Sequence, residues 1–220
     1  AGENKPVAAE VGLGSRVAAI TSTFTQGNLT HVENPFSVAL EGDGFFQIRT
    51  ESGELQYTRD GSFEISPVAN GNMLCTSDGN PVLDAYGNQI ILPSNRVATD
   101  LVVNQDGTLA FPDGTGNPAV ITDANGRPVK FGIYQFNNPA GLSKEGSNNY
   151  SVTVASGAAV AENGNAAVKQ TKTHQYYTEA SNVDVANEMV NLIVAQRAYE
   201  MNSKAIQASD EMMQQANALR

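Results

Sequence analysis

The sequence has no tryptophan, a single cysteine, two histidines and no long apolar run. Cys75 has no partner within the chain, so there is no disulfide framework and the fold must rest on its own buried core. No apolar stretch approaches the ~18 residues of a membrane-spanning helix. The segment Ala1 to Glu10 lacks the basic-then-apolar pattern of a secretory leader. Charged residues make up 16% of the 220, well below the ~25% of ordinary soluble domains. Neutral polar residues, asparagine above all, take their place. The 13 basic residues form no cluster and are outnumbered by 23 acidic ones. Nucleic acid and anionic membrane surfaces are therefore poor partners, because both need concentrated positive charge.

Glycine and proline are also missing, but only from one part. All 20 glycines lie at or before Gly164, the last proline is Pro139, and Ser181 to Arg220 contains neither. Both residues punctuate turns and disfavour helix interiors, so their joint loss marks a change of structural class. Before it, turn dipeptides recur: Asp43-Gly44, Asp60-Gly61, Asn70-Gly71, Asp78-Gly79, Asp106-Gly107, Asp113-Gly114, Asn125-Gly126 and Asn163-Gly164. Such pairs suit the positive φ of tight hairpins. Between them lie β-prone runs, Phe45 to Thr50, Glu54 to Thr58, Leu101 to Asn104, Val129 to Phe136 and Tyr150 to Val154. The expected fold is mainly β: a body of short hairpin-linked strands over 1–180, followed by one long C-terminal α-helix over 181–220. Within the body, 64–136 is a candidate outer subdomain, with 1–63 and 137–180 forming the inner part.

The helix is expected from Val183 to Asn217, started by Ser181 with Asp184 as a capping box. Val185, Met189, Leu192, Gln196, Tyr199, Ser203, Ile206, Asp210 and Met213 follow a 4-3-4-3 spacing, with Ile193 beside them, which is a coiled-coil-like seam with polar interruptions. Glu200 and Lys204 form a favourable i, i+4 pair. A helix of this length outruns one small body, so its seam is expected to meet other helices; the alternative is a helix folded back along the body.

No catalytic, cofactor-binding or metal-ligating set emerges, and no cofactor is expected. His31 and His174 lie in no HExxH pattern, and there is no G-x-S-x-G elbow. His174 reads as a strand histidine and Cys75 as a small core hydrophobe. Gly42-Asp43-Gly44 reads as a turn, not a dinucleotide loop. Asp106 to Asn117 matches neither an EF-hand nor a nonapeptide calcium repeat and reads as hairpin turns.

Three blocks in order resemble one family. Val11-Gly-Leu-Gly-Ser-Arg-Val17 with Phe24-Thr-Gln-Gly-Asn-Leu29 is the first. Leu40-Glu-Gly-Asp-Gly-Phe-Phe46 with Tyr57-Thr-Arg-Asp-Gly-Ser-Phe63 is the second. Ser181-Asn-Val183 with Gln196-Arg-Ala-Tyr-Glu-Met-Asn-Ser-Lys204 is the third. Together they are similar to the axial rod and hook proteins of the bacterial flagellum. Gln135-Phe-Asn-Asn-Pro-Ala-Gly-Leu142 and the third block look most like the distal-rod branch.

The resemblance implies a non-enzymatic, self-assembling subunit of the distal rod, exported without a cleavable signal peptide. Its place would be the basal body, from periplasm to outer membrane. The implied partners are copies of itself and neighbouring proximal rod, hook and outer ring proteins, with no nucleic acid and no membrane insertion. It also implies a preceding helix that pairs with the C-terminal one and is missing from this sequence. The implied assembly residues are the seam above; the implied β block is Gly42, Gly44, Phe45, Phe46, Tyr57, Arg59, Gly61 and Phe63. A hook or proximal rod subunit is the alternative within the family. Outside it stand a secreted polysaccharide-binding module, with Tyr57, Tyr86, Tyr134, Tyr176 or Tyr177 as stacking platforms, and a hydrolase.

Overall fold

The chain is described from a computed structural model, over residues 22–113, 118–123 and 125–218. The block Val11 to Val17, Gly114 and part of the loop up to Asn117 lie outside the described residues. Among those described, the body is built of sixteen short strands and two single 3-10 turns, Ala98–Asp100 and Pro139–Gly141. One helix, α1 (Val185–Ala218), follows. It is not apolar enough to cross a membrane.

The strands are β1 (Leu29–His31), β2 (Val38–Glu41), β3 (Phe45–Arg49), β4 (Leu55–Thr58), β5 (Glu64–Val68), β6 (Gly71–Cys75), β7 (Ile91–Leu92) and β8 (Val102–Val103). They continue as β9 (Leu109–Pro112), β10 (Pro118–Val120), β11 (Ile133–Gln135), β12 (Ser143–Gly146), β13 (Asn149–Ser151), β14 (Val160–Ala161), β15 (Lys172–Gln175) and β16 (Tyr177–Glu179). A six-stranded antiparallel sheet, β12-β13-β4-β3-β11-β14, is the main platform. Beside it lie β5-β6-β7 and β10-β9-β8, while β15 pairs with β2 and β16 with β1. The expected strand at Val129 to Phe136 shrinks to β11, because Val129 and Gly132 instead join the closed rings described below and Phe131 N–H donates to Gly107.

The hairpins between β5 and β6 and between β12 and β13 keep two-residue loops, at 69–70 and 147–148, but five others differ from the tight turns expected from the Asp-Gly and Asn-Gly pairs. At 50–54, 76–80, 84–88, 104–108 and 123–127 the first residue's N–H donates to the fifth residue's carbonyl. The glycine at the fourth place donates back to the first, closing a three-residue loop with a bulge. Gly53, Gly79, Gly87, Gly107 and Gly126 have φ between 76° and 87°, a region costly to any residue with a Cβ. Gly53 and Gly87 escaped the dipeptide signal because Ser52 and Tyr86 precede them. Gly44 and Gly61 do not take positive φ; they are small because other chain segments pass close by.

Three closed rings of backbone hydrogen bonds organise the body between residues 47 and 132. Leu74 N–H donates to Ile90, Ile90 to Val82 and Val82 to Leu74, at 3.0 to 3.1 Å. Leu109, Val129 and Ile121 form a second ring in the same sense, at 2.8 to 3.0 Å. Gln47, Gly132 and Leu83 close a third, each bond 2.9 Å. The first two rings sit on a sequence repeat: Gly79-Asn-Pro-Val-Leu-Asp-Ala-Tyr-Gly87 parallels Gly116-Asn-Pro-Ala-Val-Ile-Thr-Asp-Ala-Asn-Gly126. In both repeats the aspartate, Asp84 or Asp123, accepts from the N–H groups two and four residues on. Those donors hold the Asp123 carboxyl below the usual carboxylate range, the Arg127 N–H being the main one.

Period two along β3 divides the core. Phe46 and Ile48 face the main core, where Phe63 and Phe131 stack and Phe46 meets both edge-on, with centroids 5.0 to 5.9 Å apart. Phe45, on the opposite face, joins Tyr57, Phe136 and Leu142, with Phe24, Tyr134 and Tyr150 packed against them. Cys75 is buried and free. Tyr57 is 4% exposed, so it is no stacking platform for a sugar, and Tyr86 has Arg127 4.1 Å over its ring.

Phe46 is fully buried against two other rings, so Phe46→Ala is expected to cost about 3–5 kcal/mol. Denaturant unfolding of the body, followed by tyrosine fluorescence, measures the loss.

Candidate functional site: the joint between the β body and the helix

α1 emerges from a joint that the second and third sequence blocks build together with Phe24 to Leu29. Its start is three residues later than the expected capping box. Asp184, not Ser181, is the N-cap: its Oδ1 accepts from Ala186 N–H at 3.0 Å and its Oδ2 from Asn187 Nδ2 at 2.8 Å. Ser181 Oγ accepts from Val183 N–H, a local turn before the helix. Asn182 reaches back to the opposite arm of the joint, donating from Nδ2 to the carbonyls of Thr23 and Thr25 and to Thr25 Oγ1, at 2.7 to 3.2 Å.

Gly27 lies so close to this arm that a Cβ would meet the Ala180 carbonyl oxygen. Its N–H donates to Glu179 Oε1 at 2.9 Å. Gln26 spans to the β2–β3 turn, donating to the Leu40 carbonyl and accepting from Gly42 N–H. These contacts tie the segment entering the body to the segment leaving it.

Arg59 is the centre. Its Nε and Nη2 donate to Glu179 Oε2 at 3.0 and 2.9 Å, while Nη1 donates to the carbonyls of Gly42 and Gly44. Its guanidinium lies 5.6 Å from the centroid of Phe45. Both side chains of the ion pair are largely buried, 15% and 13% exposed, so solvent screens it less than a surface pair. A groove of about 510 Å³ opens beside it, lined by Arg59, Asp60, Tyr150, Glu179 and Asn182 among others.

Each residue of the β block now has a place. Gly42 and Gly44 offer carbonyls to Arg59, and Phe45 packs beneath it. Gly61 lies against Val38, whose carbonyl a Cβ would strike. Phe46 and Phe63 are core, and Tyr57 Oη accepts from Gln47 Nε2 at 3.2 Å. Next to the joint, Tyr176 holds φ +64° where the chain switches from pairing with β2 to pairing with β1. Its ring stacks on His31, and both His31 and His174 pack edge-on against Tyr177. His174 Nε2 lies 2.6 Å from Glu41 Oε2. That hydrogen bond lowers the Glu41 carboxyl below its ordinary range. Its stabilisation is present above that range and fades as the pH falls through the lowered value.

The seam residues are brought together on one side of α1 and are covered by nothing among the described residues. Val185, Met189, Leu192, Ile193, Tyr199, Ile206 and Met213 are each more than half exposed. Gln196 is exposed and Ser203 half-buried. The helix therefore does not fold back along the body. Glu200 pairs backward with Arg197 at 3.3 Å rather than forward with Lys204.

Two family models match. Residues 39–111 match the flagellar hook protein FlgE/F/G D1 domain, and residues 174–219 match the C-terminal part of the flagellar basal body rod FlgEFG proteins. The basal-body rod protein FlgG of Borreliella burgdorferi is 38% identical over 98% of this chain and 76% of its own length. FlgG of Buchnera aphidicola is 36% identical over 97% and 76%. The hook-basal body complex protein FlhP of Bacillus subtilis is 34% identical over 89% and 69%. The chain belongs to the flagellar rod and hook family. Within it, the two matched regions meet at Arg59 and Glu179, one residue from each.

The contacts of Asn182 with Thr23 and Thr25, and of Gly27 with Glu179, have no sequence signal, because no spacing rule connects residues 152 to 159 positions apart.

Removing Glu179 leaves a largely buried guanidinium without its carboxylate. Glu179→Ala is expected to cost about 1.5–3 kcal/mol and to speed amide hydrogen exchange in β16 and β1. Asp184→Ala should cost about 1 kcal/mol of helix stability, read as loss of far-ultraviolet helical signal with the body melt unchanged.

Proposed function

We propose that this chain is a structural, non-enzymatic subunit of the distal rod of the bacterial flagellar basal body, whose copies assemble into a helical tube that transmits torque. The observation that carries the reading is the relation to basal-body rod proteins over nearly the whole chain. A second supports it: an apolar seam along α1 that is exposed among the described residues.

The mechanism follows from symmetry. Copies that meet through two different surfaces, head to tail, do not close on themselves when the rotation leaves an offset, and they continue as a helix. In this reading α1 forms an inner layer of packed helices and the β body an outer one. Gln196, Ser203 and Asp210 interrupt the seam and set the register between neighbouring helices, as polar seam residues do. Torque passes from layer to layer through the joint, so Arg59, Glu179, Gln26 and Asn182 hold the helix at a fixed angle. The partners are copies of the chain and, at the ends of the stack, proximal rod, hook and outer ring proteins, at the basal body between periplasm and outer membrane.

A hook-side or proximal position is the second reading. It is favoured by the match to a domain shared by hook and rod proteins and by the similarity to FlhP.

Electron microscopy of the full chain should show cylindrical polymers; monomers under all conditions would defeat the assembly reading. Changing Tyr199 and Ile206 together to Asp should abolish polymers and swimming while the body melt stays unchanged, because both side chains are exposed in the free chain.

A further inference from the structure

Three Asn-Gly pairs stand in the sequence, Asn70-Gly71, Asn125-Gly126 and Asn163-Gly164, and the fold treats them differently. In any such pair the asparagine side chain lies within reach of the next backbone nitrogen, and glycine has no Cβ to block the approach. Gly71 opens β6, where it pairs with Val68 and lies buried against the Leu92 carbonyl. Asn125 is held twice, its N–H donating to Asp123 Oδ1 at 2.8 Å and its Nδ2 to Asp123 Oδ2 at 3.3 Å. The Gly126 N–H is engaged as well, donating to the Asp123 carbonyl at 3.0 Å.

The third pair is held by nothing of this kind. Asn163 and Gly164 are the central residues of a turn closed by Asn165 N–H on the Glu162 carbonyl, at 3.2 Å. Both are exposed, and a Cβ on Gly164 would meet no neighbour. Among the described residues, neither the Asn163 side chain nor the Gly164 N–H has a hydrogen-bond partner.

We infer that Asn163 is a site of spontaneous modification, converting to aspartate and isoaspartate in the folded chain ahead of the other two pairs. The Gly164 nitrogen attacks Cγ of Asn163: the N–Cγ bond forms, the Cγ–Nδ2 bond breaks, and ammonia leaves with the Gly164 amide proton. Water then opens the cyclic imide. Its attack at Cγ gives aspartate, and its attack at the backbone carbonyl gives isoaspartate, with the main chain routed through Cβ. Water is the one co-reactant, and no electrons change hands.

The neighbouring residue gives the change a structural consequence. Glu162 is buried, and its carboxylate accepts from Thr171 N–H, Thr171 Oγ1 and Gln135 Nε2 at 2.6 to 2.7 Å. Its own N–H donates to the Ile133 carbonyl and ties the turn to β11. A new carboxylate one residue away repels that of Glu162, and isoaspartate lengthens the backbone between β14 and β15. Both loosen the edge of the main sheet, where β14 lies. In a subunit that stays in a polymer, the converted fraction rises with the age of the polymer.

The test incubates the full chain in mildly alkaline buffer and follows each asparagine by peptide mass spectrometry, with electron-transfer fragmentation to separate aspartate from isoaspartate. Conversion at Asn163 is expected to run about tenfold ahead of Asn125, whose hydrogen bonds must open first. Conversion at Asn163 no faster than at Asn70 or Asn125 would overturn the inference. In urea, where turn and ladder are lost, the three rates should converge; a preference for Asn163 that persisted there would belong to local sequence and would also overturn it. Amide exchange at Glu162 and Thr171 should be faster in the converted chain, and unchanged exchange would overturn the loosening. None of these readouts requires polymers, so their failure is distinct from failure of the rod reading.

Discussion

A guanidinium that can leave neither its carboxylate nor its two carbonyls decides how this protein is put together. Arg59 gathers the Gly42–Gly44 turn, the Phe45 ring and Glu179 at one point, and Glu179 also receives Gly27 N–H. The segment entering the body and the segment leaving it are thereby fixed to each other and to the main sheet. With its planar fork and permanent charge, arginine fills four donor positions at once, which lysine could not. The direction in which α1 departs follows from this knot and from the Asn182 bonds, since no other described residue packs against the apolar seam of the helix further along.

The body that carries the joint is stiff for reasons unrelated to any single pair. Three closed rings of backbone hydrogen bonds tie residues from distant parts of the chain, and aromatic rings at Phe46, Phe63 and Phe131 fill the space they enclose. A ring of strands cannot shear one member without breaking bonds to both others. Five hairpins with the same bulged turn close the ends of these strands. A unit built this way suits a part that must pass on a twist without absorbing it.

Much of this was legible from residue types. The loss of glycine and proline after Gly164 and Pro139 marked the helix, and the 4-3-4-3 spacing marked one of its faces. Other features were not, for identifiable reasons. Asp184 displaced Ser181 as N-cap because Ser181 closes a local turn with Val183 and leaves the first helical donors to the next side chain. The Asp-Gly pairs were read as one device but serve two: Gly79 and Gly107 supply positive φ, whereas Gly44 and Gly61 make room for other segments. The paired repeat at Gly79–Gly87 and Gly116–Gly126 was visible in the sequence and is explained by the two matching rings.

The sequence alone determined the division into a β body and one long helix, because turn residues and helix periodicity act over a few positions. It also marked the apolar seam of that helix, since residues at spacings of three and four share one face, whereas its exposure beside the body is a tertiary fact. Only the tertiary structure decided that Arg59, Glu179, Gln26 and Asn182 form one joint. Their meeting depends on the path of the whole body between residues 26 and 182, and local rules cannot see a contact closed over that length.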